Sequence, residues 1–512
     1  MKKLLFFCVS IAMLYGFTLH EATSMVNIQP NPFNKYGIFD HQINIGKPTI
    51  SGTVAYDTGS QEYTLEGSGT NMWANTDEFQ YLYKSIQGDF ILRAHIRFVG
   101  EGVDPHRKIG WIIRNNLRGD SPHVNASVHG DGLTSLQFRR ETGGETEEVT
   151  STDVAPDVVQ LERREGVYYM STAKFGEPFT TVKIEDVNLR NEVFVGLYIC
   201  SHNPEVVEKA VFSNVRIIKP APKDLEPYRD YLGSNMEIMN VETGHRKILF
   251  NSAHSIQAPN WVNNDRELVF NSNGFLYRYD FATDEISQIN SGFAVNNNND
   301  HVFSFDESIL GISNHNQEDG GTSSIYIMDP KGDSLPRKIT KDGVGASYLH
   351  GISPDNKSML FTGERKGKYD LYSVDIATGK EVQLTDTENL DDGSEYSPDG
   401  KYIYFNSNRT GNMQLWRMKP DGSDQAQLTF DTAYKDWFPH VSPDGKWIVF
   451  ISFPPTIGFG EHPFYKQCTI RLMPASGGVP TIVGYIYGGQ GSINVPSWSK
   501  DSKHIALVTN SD

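Results

Sequence analysis

A turn followed by an apolar run occurs six times in the second half of the chain, and this repeat restricts the possible folds more than any other feature. The copies begin at intervals of about 42 to 57 residues and read WVNNDRELVF, FSFDESILGI, ISPDNKSMLF, YSPDGKYIYF, VSPDGKWIVF and WSKDSKHIAL. A second hairpin follows each of the first five copies, for example DLYSVDIATGKEVQLT. Four short strands in each repeat of this period indicate the blade of a β-propeller.

The sixth copy reaches Asp512 with only two strands, and the hairpin that it lacks occurs at the other end of the region, as NMEIMNVETGHRKILF in residues 235–250. Strands from both ends of residues 235–512 are therefore predicted to share one blade, which closes the ring and removes two exposed sheet edges. This count predicts six blades. The repeats resemble those of TolB-type (PD40, WD40-like) β-propellers, and the resemblance implies the same fold here.

Residues 27–218 show a different pattern, with long alternating strands such as GDFILRAHIRFVG and EVFVGLYICSH. Alternation of period two is typical of an antiparallel sandwich of two sheets, so the whole chain is predicted to be all-β. Two stretches, GTNMWANTDEFQYLYKSIQGDFILRAHIRF and GWIIRNNLRGDSPHVNASVHGDG, resemble concanavalin-A-like lectin and glucanase jelly rolls, which implies a glycan-related module. Residues 219–234, rich in Pro and charge, are predicted to be the linker.

The first 24 residues have the pattern of a secretory signal peptide, with Lys2 and Lys3 before an apolar stretch and small residues at Ala22–Ser24. We therefore expect an exported protein that is periplasmic, cell-surface or secreted. After processing only Cys200 and Cys468 remain, in different predicted domains, so no disulfide framework is expected. The formal charge of −17 argues against nucleic acid and anionic membranes as partners.

Strand direction predicts which face of the propeller carries the functional residues. Successive strands of a blade alternate in direction, so the start of the innermost strand and the loop between the second and third strands lie on one face. The Pro-Asp-Gly turns lie on the other face, where Pro, Asp and Gly suit a tight turn. We expect the catalytic candidates at the first face to be His301, His350, His440 and Glu395. The substrate-binding candidates are Arg365, Lys366, Arg409, His315, His462 and Asn260.

The sequence leaves two interpretations of these residues open. In the first, the polar side chains only line a hydrated channel and bond to water or backbone. In the second, they form a site, in which His301, His350 and His440 could hold a divalent metal ion, although their spacing matches no zinc motif. We find no G-x-S-x-G elbow, no phosphate loop and no dinucleotide fingerprint, so these chemistries are not predicted.

The propeller also distantly resembles oligogalacturonide lyases, in which a metal-assisted base removes the C5 proton of a uronate. That resemblance is confined to the repeat, because those enzymes have seven blades and their ligand motif does not match here. It implies β-elimination on an acidic oligosaccharide, by a lyase or a dehydratase, with histidine as base and Arg365, Lys366 or Arg409 holding the carboxylate. The alternative is a non-catalytic TolB-like envelope protein that binds a glycan or protein partner.

Overall fold

The computed structural model describes residues 28–30, 35–226, 228–317 and 320–511 of the chain. The predicted signal peptide, residues 1–24, lies outside these ranges. The described residues form β-strands and contain no α-helix, as the all-β prediction requires. None of these segments provides an apolar helix long enough to cross a membrane.

Residues 41–218 form two seven-stranded antiparallel sheets and one small hairpin. The first sheet has the order β12-β11-β10-β9-β16-β7-β2, the second has the order β15-β14-β13-β8-β17-β4-β3, and the hairpin is β5-β6. The strands are β2 (His41–Ile45), β3 (Thr53–Asp57), β4 (Glu62–Gly67), β5 (Met72–Trp73), β6 (Thr76–Asp77), β7 (Phe79–Gln87), β8 (Phe90–Val99), β9 (Lys108–Arg114), β10 (His123–His129), β11 (Thr134–Arg139), β12 (Glu147–Thr150), β13 (Val158–Arg164), β14 (Val167–Ala173), β15 (Thr180–Ile184), β16 (Glu192–Cys200) and β17 (Glu208–Ile218).

The two sheets pack face to face around one apolar core. Trp111 and Leu197 enter it from the first sheet, and Leu92, Val159 and Leu161 enter it from the second. Alternate residues of each strand point into this core because successive side chains of a strand face opposite sides. Burial of these side chains contributes about 1.5 to 3 kcal/mol each, which explains why the strands read as alternating in the sequence.

The propeller contains six four-stranded sheets. Blades 1 to 5 are formed in chain order by β20 (Gln257–Val262), β21 (Glu267–Ser272), β22 (Phe275–Asp280) and β23 (Glu285–Ile289); β24 (Asn297–Phe303), β25 (Leu310–His315), β26 (Ser323–Met328) and β27 (Arg337–Lys338); β28 (Ser347–Ile352), β29 (Ser358–Arg365), β30 (Lys368–Asp375) and β31 (Glu381–Gln383); β32 (Asp391–Tyr396), β33 (Ile403–Ser407), β34 (Gln414–Met418) and β35 (Ala426–Gln427); and β36 (Lys435–Val441), β37 (Trp447–Phe453), β38 (Lys466–Pro474) and β39 (Thr481–Gly488).

Blade 6 is closed by strands from both ends of the domain, as predicted. Strand β40 (His504–Ser511) pairs with β18 (Gly233–Asn240), which pairs with β19 (Arg246–Ser252). Met236 lies opposite Val508 in this register. The innermost position is occupied by a single bridge between Trp498 and Ile505. An outer strand, β1 (Ile28–Pro30), pairs with β19, and this addition was not predicted.

The sandwich packs against the side of the propeller, at blades 5 and 6. Gln467 of β38 accepts a hydrogen bond from Gln160 (3.0 Å) and donates one to Glu162 (3.0 Å), both on β13. The guanidinium of Arg216 bonds to the buried carboxylate of Glu237 (2.7 Å). The second sheet therefore covers these blades with its outer face.

Candidate functional site

A cavity of about 680 Å³ opens at the mouth of the propeller, and residues from all six blades and the connecting segment line it. The lining contains amides, aromatic rings, two carboxylates and three histidines. Its members are Tyr228, Tyr231, Ser255, Gln257, Asn271, Asn273, Gly274, Asn296, Asn297, Asn298, Asn299, Asp300, His315, Tyr348, His350, Thr362, Tyr369, Leu390, Asp392, Phe438, His462, Phe464, Gln490 and Asn494. Most of them belong to the starts of innermost strands or to loops after second strands, on the face chosen from strand direction.

The repeated turn lies at the opposite ends of the innermost strands, and its hydrogen bonds explain why Ser-Pro-Asp-Gly recurs. In blade 5 the Ser442 hydroxyl donates to Asp444 (2.6 Å) and accepts the backbone N–H of Trp447 (3.0 Å). Gly445 has a φ of +71°, a conformation that favours glycine. The same serine-to-aspartate bond recurs in blade 4. These residues therefore serve the turn and not the mouth.

A β-bulge interrupts the innermost strand in each of blades 1 to 5. In blade 5 the pairing shifts between Trp437 and His440, and Phe438 adopts a φ of +55°. In blade 3 the extra residue is His350 itself, between Leu349 and Gly351. A bulge changes which side chains face each side of a strand, so counting back from the turn by twos fails at this point.

His350 and Asp392 form the polar centre of the cavity. His350 Nε2 lies 3.0 Å from Asp392 Oδ1, and the same oxygen accepts bonds from the Thr362 hydroxyl (2.6 Å) and the Gly393 N–H (2.8 Å). Burial opposes ionisation of Asp392, but His350 outweighs it and lowers the pKa of this carboxyl to about 2. Burial also opposes the charged form of His350, but Asp392 and then Asp300 raise its pKa overall. Each group of the pair therefore favours the charged form of the other.

Asp300 is the second carboxylate of the cavity and lies in a different environment. Its side chain belongs to the bulge of β24, and the residue is 6% exposed. Burial raises its pKa to about 6; His350 opposes this shift, and Asp392 adds to it. Within the described ranges no Lys or Arg forms an ion pair with Asp300. Its charge is therefore balanced less well than that of Asp392.

The remaining histidines of the cavity are held by neutral partners. His462 Nδ1 lies 2.7 Å from the Gln490 side-chain oxygen, and its ring packs edge-on against Trp437. Burial lowers the pKa of His462. His315 Nδ1 lies 3.0 Å from the carbonyl oxygen of Gly321. Both were predicted as substrate-binding residues, and both lie where a ligand could reach them.

His440 and Glu395 were predicted as catalytic residues, but the structure places them in a buried contact between blades and outside the lining of the cavity. His440 Nδ1 lies 2.6 Å from Glu395 Oε2, and its Nε2 lies 2.5 Å from the carbonyl oxygen of Ile493. Both neighbours are hydrogen-bond acceptors, so neither ring nitrogen is left for a metal or a substrate proton. Glu395 also accepts the N–H of Val441 (3.2 Å). The pair joins blades 4, 5 and 6.

His301 and Asn260 are also buried beside the channel and do not line the cavity. His301 is 0% exposed, both of its ring nitrogens lack hydrogen-bond partners, and burial lowers its pKa to about 4. Asn260 donates to the carbonyl of Pro496 (2.6 Å), which ties blade 1 to blade 6. Each lies on the turn side of the bulge in its own strand. The channel interpretation describes these two residues better than the site interpretation.

The three basic candidates do not meet at the mouth. Arg365 forms a bidentate pair with Glu381 (2.9 and 3.0 Å). Arg409 pairs with Asp391 (2.8 Å) and packs over the ring of Trp416. Lys366 is exposed at the tip of the β29–β30 turn, with a φ of +56°. The expectation that these residues gather to hold a carboxylate is therefore wrong for the two arginines, whose charges are already neutralised.

The proposed metal ligands are likewise apart, since His350 faces the cavity while His301 and His440 are buried elsewhere. No group of three or more His, Cys, Asp or Glu side chains in the described part of the chain is arranged to hold a metal ion. In the sandwich, Trp111 and Tyr81 are fully buried, and Arg114 bonds to the buried Asp77 (2.6 Å). Those residues belong to the buried interior of the two-sheet region.

Sequence reasoning missed the two carboxylates and the amides of the cavity. Asp300 lies within the bulge of β24, and Asp392 directly precedes the bulge of β32. No single residue type marks the position of the bulge in every blade, so the bulges could not be predicted from the sequence. The available signal was a run of polar residues at the start of two innermost strands, NNNND and DDGS. Tyr228 and Tyr231 come from the predicted linker, which has no periodicity to indicate where it folds.

Comparison with known proteins agrees with the propeller fold. The model of the TolB beta propeller domain, PD40, matches residues 345–456. An uncharacterized protein of Agrobacterium fabrum (strain C58) is 41% identical over 276 residues, which cover 54% of this chain and 92% of that protein. A solved Agrobacterium tumefaciens structure designated "putative TolB" is 39% identical with a TM-score of 0.52, covering 55% of this chain and 100% of the other. The chain belongs to the TolB-like β-propeller family.

Membership in this family confirms the TolB-type resemblance for the propeller, and it does not extend to the sandwich. The Tol-Pal system protein TolB of Francisella tularensis subsp. tularensis is 26% identical over 236 residues, which are 44% of this chain and 52% of that protein. An oligogalacturonate lyase of Vibrio parahaemolyticus is 12% identical with a TM-score of 0.36, over 56% of this chain and 76% of the lyase. A likeness of that size carries no argument for lyase activity.

Proposed function

We propose that this TolB-like protein is an exported binding protein whose propeller mouth holds a neutral or positively charged segment of a polymeric partner. The observation that carries the proposal is the composition of the mouth cavity. Its described lining contains aromatic rings, side-chain amides and two carboxylates, and includes no Lys or Arg. Amides and rings bind many ligands, but two carboxylates disfavour an anionic one, since Asp392 already holds His350 and Asp300 has no lysine or arginine partner among the described residues.

The size of the cavity suits a short segment and not a whole domain. A volume of about 680 Å³ lies within the usual range for ligand pockets. Side-chain amides can donate and accept at once, which suits peptide groups as well as sugar hydroxyls, and of the seven lining asparagines Asn297 and Asn494 already use both ends of the amide within the protein. Export is proposed from residues 1–24, and a periplasmic or cell-surface location follows from it. The concanavalin-A-like character of the sandwich is likewise a proposal, supported by its two seven-stranded sheets.

A substitution that fills the mouth tests this proposal. Asn296 lines the cavity and is exposed, so Asn296→Trp should block it without disturbing the core. Leu335→Trp is the control, because Leu335 is 74% exposed in the turn between the outer strands of blade 2, on the opposite face. We expect a hexapeptide library or a panel of neutral oligosaccharides to yield ligands whose affinity falls at least tenfold in Asn296→Trp only. Equal affinity in both variants, or no ligand from either panel, would contradict the proposal.

β-Elimination on an acidic oligosaccharide is the second candidate function. The His350–Asp392 pair favours it, since a carboxylate-held imidazole in a cavity can exchange a proton with a substrate. The pairing of Arg365 and Arg409 with other carboxylates counts against it, because nothing basic in the described lining is left to neutralise a uronate. Ultraviolet absorbance of unsaturated uronate, followed with and without added divalent metal, decides the point. Product that disappears in His350→Gln would favour elimination over binding alone, and product masses would separate a lyase from a dehydratase.

A further inference from the structure

The carboxylate of Asp300 leaves an unbalanced negative charge in the wall of the mouth cavity. The residue is 6% exposed and lines the cavity. Buried carboxylates in proteins are ordinarily paired with a cation or tied by several hydrogen bonds, because isolated buried charge is costly. Within the described residues no lysine or arginine pairs with it; Asn298 accepts its backbone N–H (2.9 Å) and shares a side-chain hydrogen bond with its carboxyl group.

The charged and titratable groups that face Asp300 come from three other elements. His350 of β28 is already held by Asp392 of β32, and that carboxylate also takes the Thr362 and Gly393 bonds. Tyr348 of β28 and Tyr228 of the connecting segment lie near enough for the negative charge of Asp300 to add to the rise of their pKa, which is mainly due to burial. Within the described residues these contacts leave Asp300 with no lysine or arginine partner, and the cation that acts on it, His350, is shared with Asp392.

Aromatic rings line the same cavity as this carboxylate and indicate the kind of cation. Tyr228, Tyr348, Tyr369, Phe438 and Phe464 line the same cavity. The Tyr228 and Phe464 rings are 5.3 Å apart, and the Phe438 ring lies 6.3 Å from that of His350. Ring faces attract ammonium and guanidinium groups, whereas a small metal ion requires several oxygen ligands. Two carboxylates, one of them already bound by His350, do not supply that set.

We propose that the mouth of this propeller binds an organic cation, an ammonium or guanidinium group carried by a peptide segment, against the carboxylate of Asp300. This inference rests on the proposed binding function and specifies its ligand. The aromatic rings stack on the apolar stem and the charged head, and the asparagines hold the neighbouring peptide groups. A lysine or arginine side chain, or a chain-terminal amine, has this combination of a charged head and an apolar stem.

The binding should depend on pH because Asp300 must be ionised. Burial raises the pKa of this carboxyl to about 6. With that value, about 99% of the groups are ionised at pH 8 and about 9% at pH 5, so affinity should fall roughly tenfold between them.

The test compares small probes of matched size on the full protein. Nα-acetyl-lysine amide is the cationic probe, Nα-acetyl-norleucine amide is its uncharged counterpart, and glucosamine is a sugar-borne amine. Binding is measured by calorimetry or saturation-transfer NMR on wild type, Asp300→Asn and Asp333→Asn. Asp333 is the matched control, because it is exposed in the turn between the outer strands of blade 2, on the opposite face.

We expect the lysine probe to bind at least fivefold tighter than norleucine, and this preference to vanish in Asp300→Asn and persist in Asp333→Asn. If both probes bind equally and lose affinity together in Asn296→Trp, the mouth binds ligands but the cation inference is overturned. Glucosamine binding without lysine binding overturns the peptide source. If Asp300→Asn does not fold, the wild-type pH series decides, and a constant affinity from pH 5 to 8 overturns the inference.

Discussion

Replacing Asp300 by asparagine should stabilise the ligand-free protein once the pH exceeds the ordinary pKa of an aspartate, and nearly all of the gain should be present by about pH 6. The reason is the environment of the carboxyl group, whose pKa is raised from its ordinary value of 3.8 to about 6, mainly by burial. A folded-state pKa above the unfolded one means that the folded protein holds the proton more tightly. The stability that this preference contributes is present below pH 4 and is lost as pH rises through 6.

The size of the effect follows from the pKa difference. About two pKa units at 1.36 kcal/mol each correspond to a cost of about 3 kcal/mol at pH 8. Asparagine has nearly the same shape and does not ionise, so this cost disappears, while its amide must still find partners in the cavity. We therefore expect a gain of about 1 to 3 kcal/mol in the free energy of unfolding. Sites that bind ligands commonly carry such a cost.

Urea-induced unfolding and thermal melting at pH 8 and pH 4 measure this gain. At pH 8 the melting temperature should rise by roughly 2 to 6 °C, and at pH 4 the two proteins should be nearly equal. Asp333→Asn removes the same charge from an exposed position and corrects for the change in net charge. It should leave stability within about 0.5 kcal/mol of wild type at both pH values.

Two results would refute this reasoning. Equal stabilisation at pH 4 and pH 8 would show that the gain does not come from ionisation of Asp300. A loss of stability at pH 8 would show that its carboxylate is well paired in the folded protein, and the cation inference would lose its basis. The latter result together with weaker binding of every probe would assign Asp300 to the framework of the cavity.

Three further predictions concern residues with structural partners. His440→Ala should destabilise the protein by about 3 kcal/mol, because it leaves Glu395 buried and unpaired, and the affinity for the probes should not change. If urea unfolding shows wild-type stability while probe affinity falls, His440 belongs to the binding site after all. Glu237→Gln should lower the free energy of unfolding by about 3 kcal/mol at pH 7, because Arg216 and Arg246 overcome the effect of burial and hold the pKa of Glu237 at about 2. This contribution of Glu237 is present above pH 4.5 and is lost as the pH falls toward 2. A cost that does not change with pH in melting curves would contradict the prediction. Arg409→Ala should destabilise the protein by about 2 kcal/mol through loss of the pair with Asp391, and the affinity for the probes should not change. Weaker probe binding at wild-type stability would contradict this structural role of Arg409.

Much of the architecture could be predicted because the repeat is local. Each copy contains its own turn and apolar run, so the strands and their order followed from short stretches such as YSPDGKYIYF. The closure of blade 6 followed from counting strands, and the pairing of Met236 with Val508 confirms it. The outer strand Ile28–Pro30 could not be predicted, since three residues carry no period.

The site was predicted less well because the directions of its side chains depend on β-bulges in the innermost strands. His350, His315 and His462 lie at the cavity, where strand direction placed them. His440 lies beyond the bulge of its strand and faces Glu395 between blades, because one extra residue reverses the side on which the following residues point. Arg365 was identified by its charge, but the sequence does not show that Glu381 of the same blade neutralises it.

By itself the sequence determined the all-β class, the six-bladed ring and the face on which functional residues would gather, because hydrophobic period and turn chemistry act over a few residues. Only the tertiary structure decided which of those residues share a cavity. Whether Asp300 stands unpaired beside Tyr228 while Asp392 is held by His350 depends on bulges and on contacts between distant segments. Such contacts have no local signal, because the residues that meet are far apart in the chain; the rings of Tyr228 and Phe464 are 5.3 Å apart although the residues are separated by 236 positions.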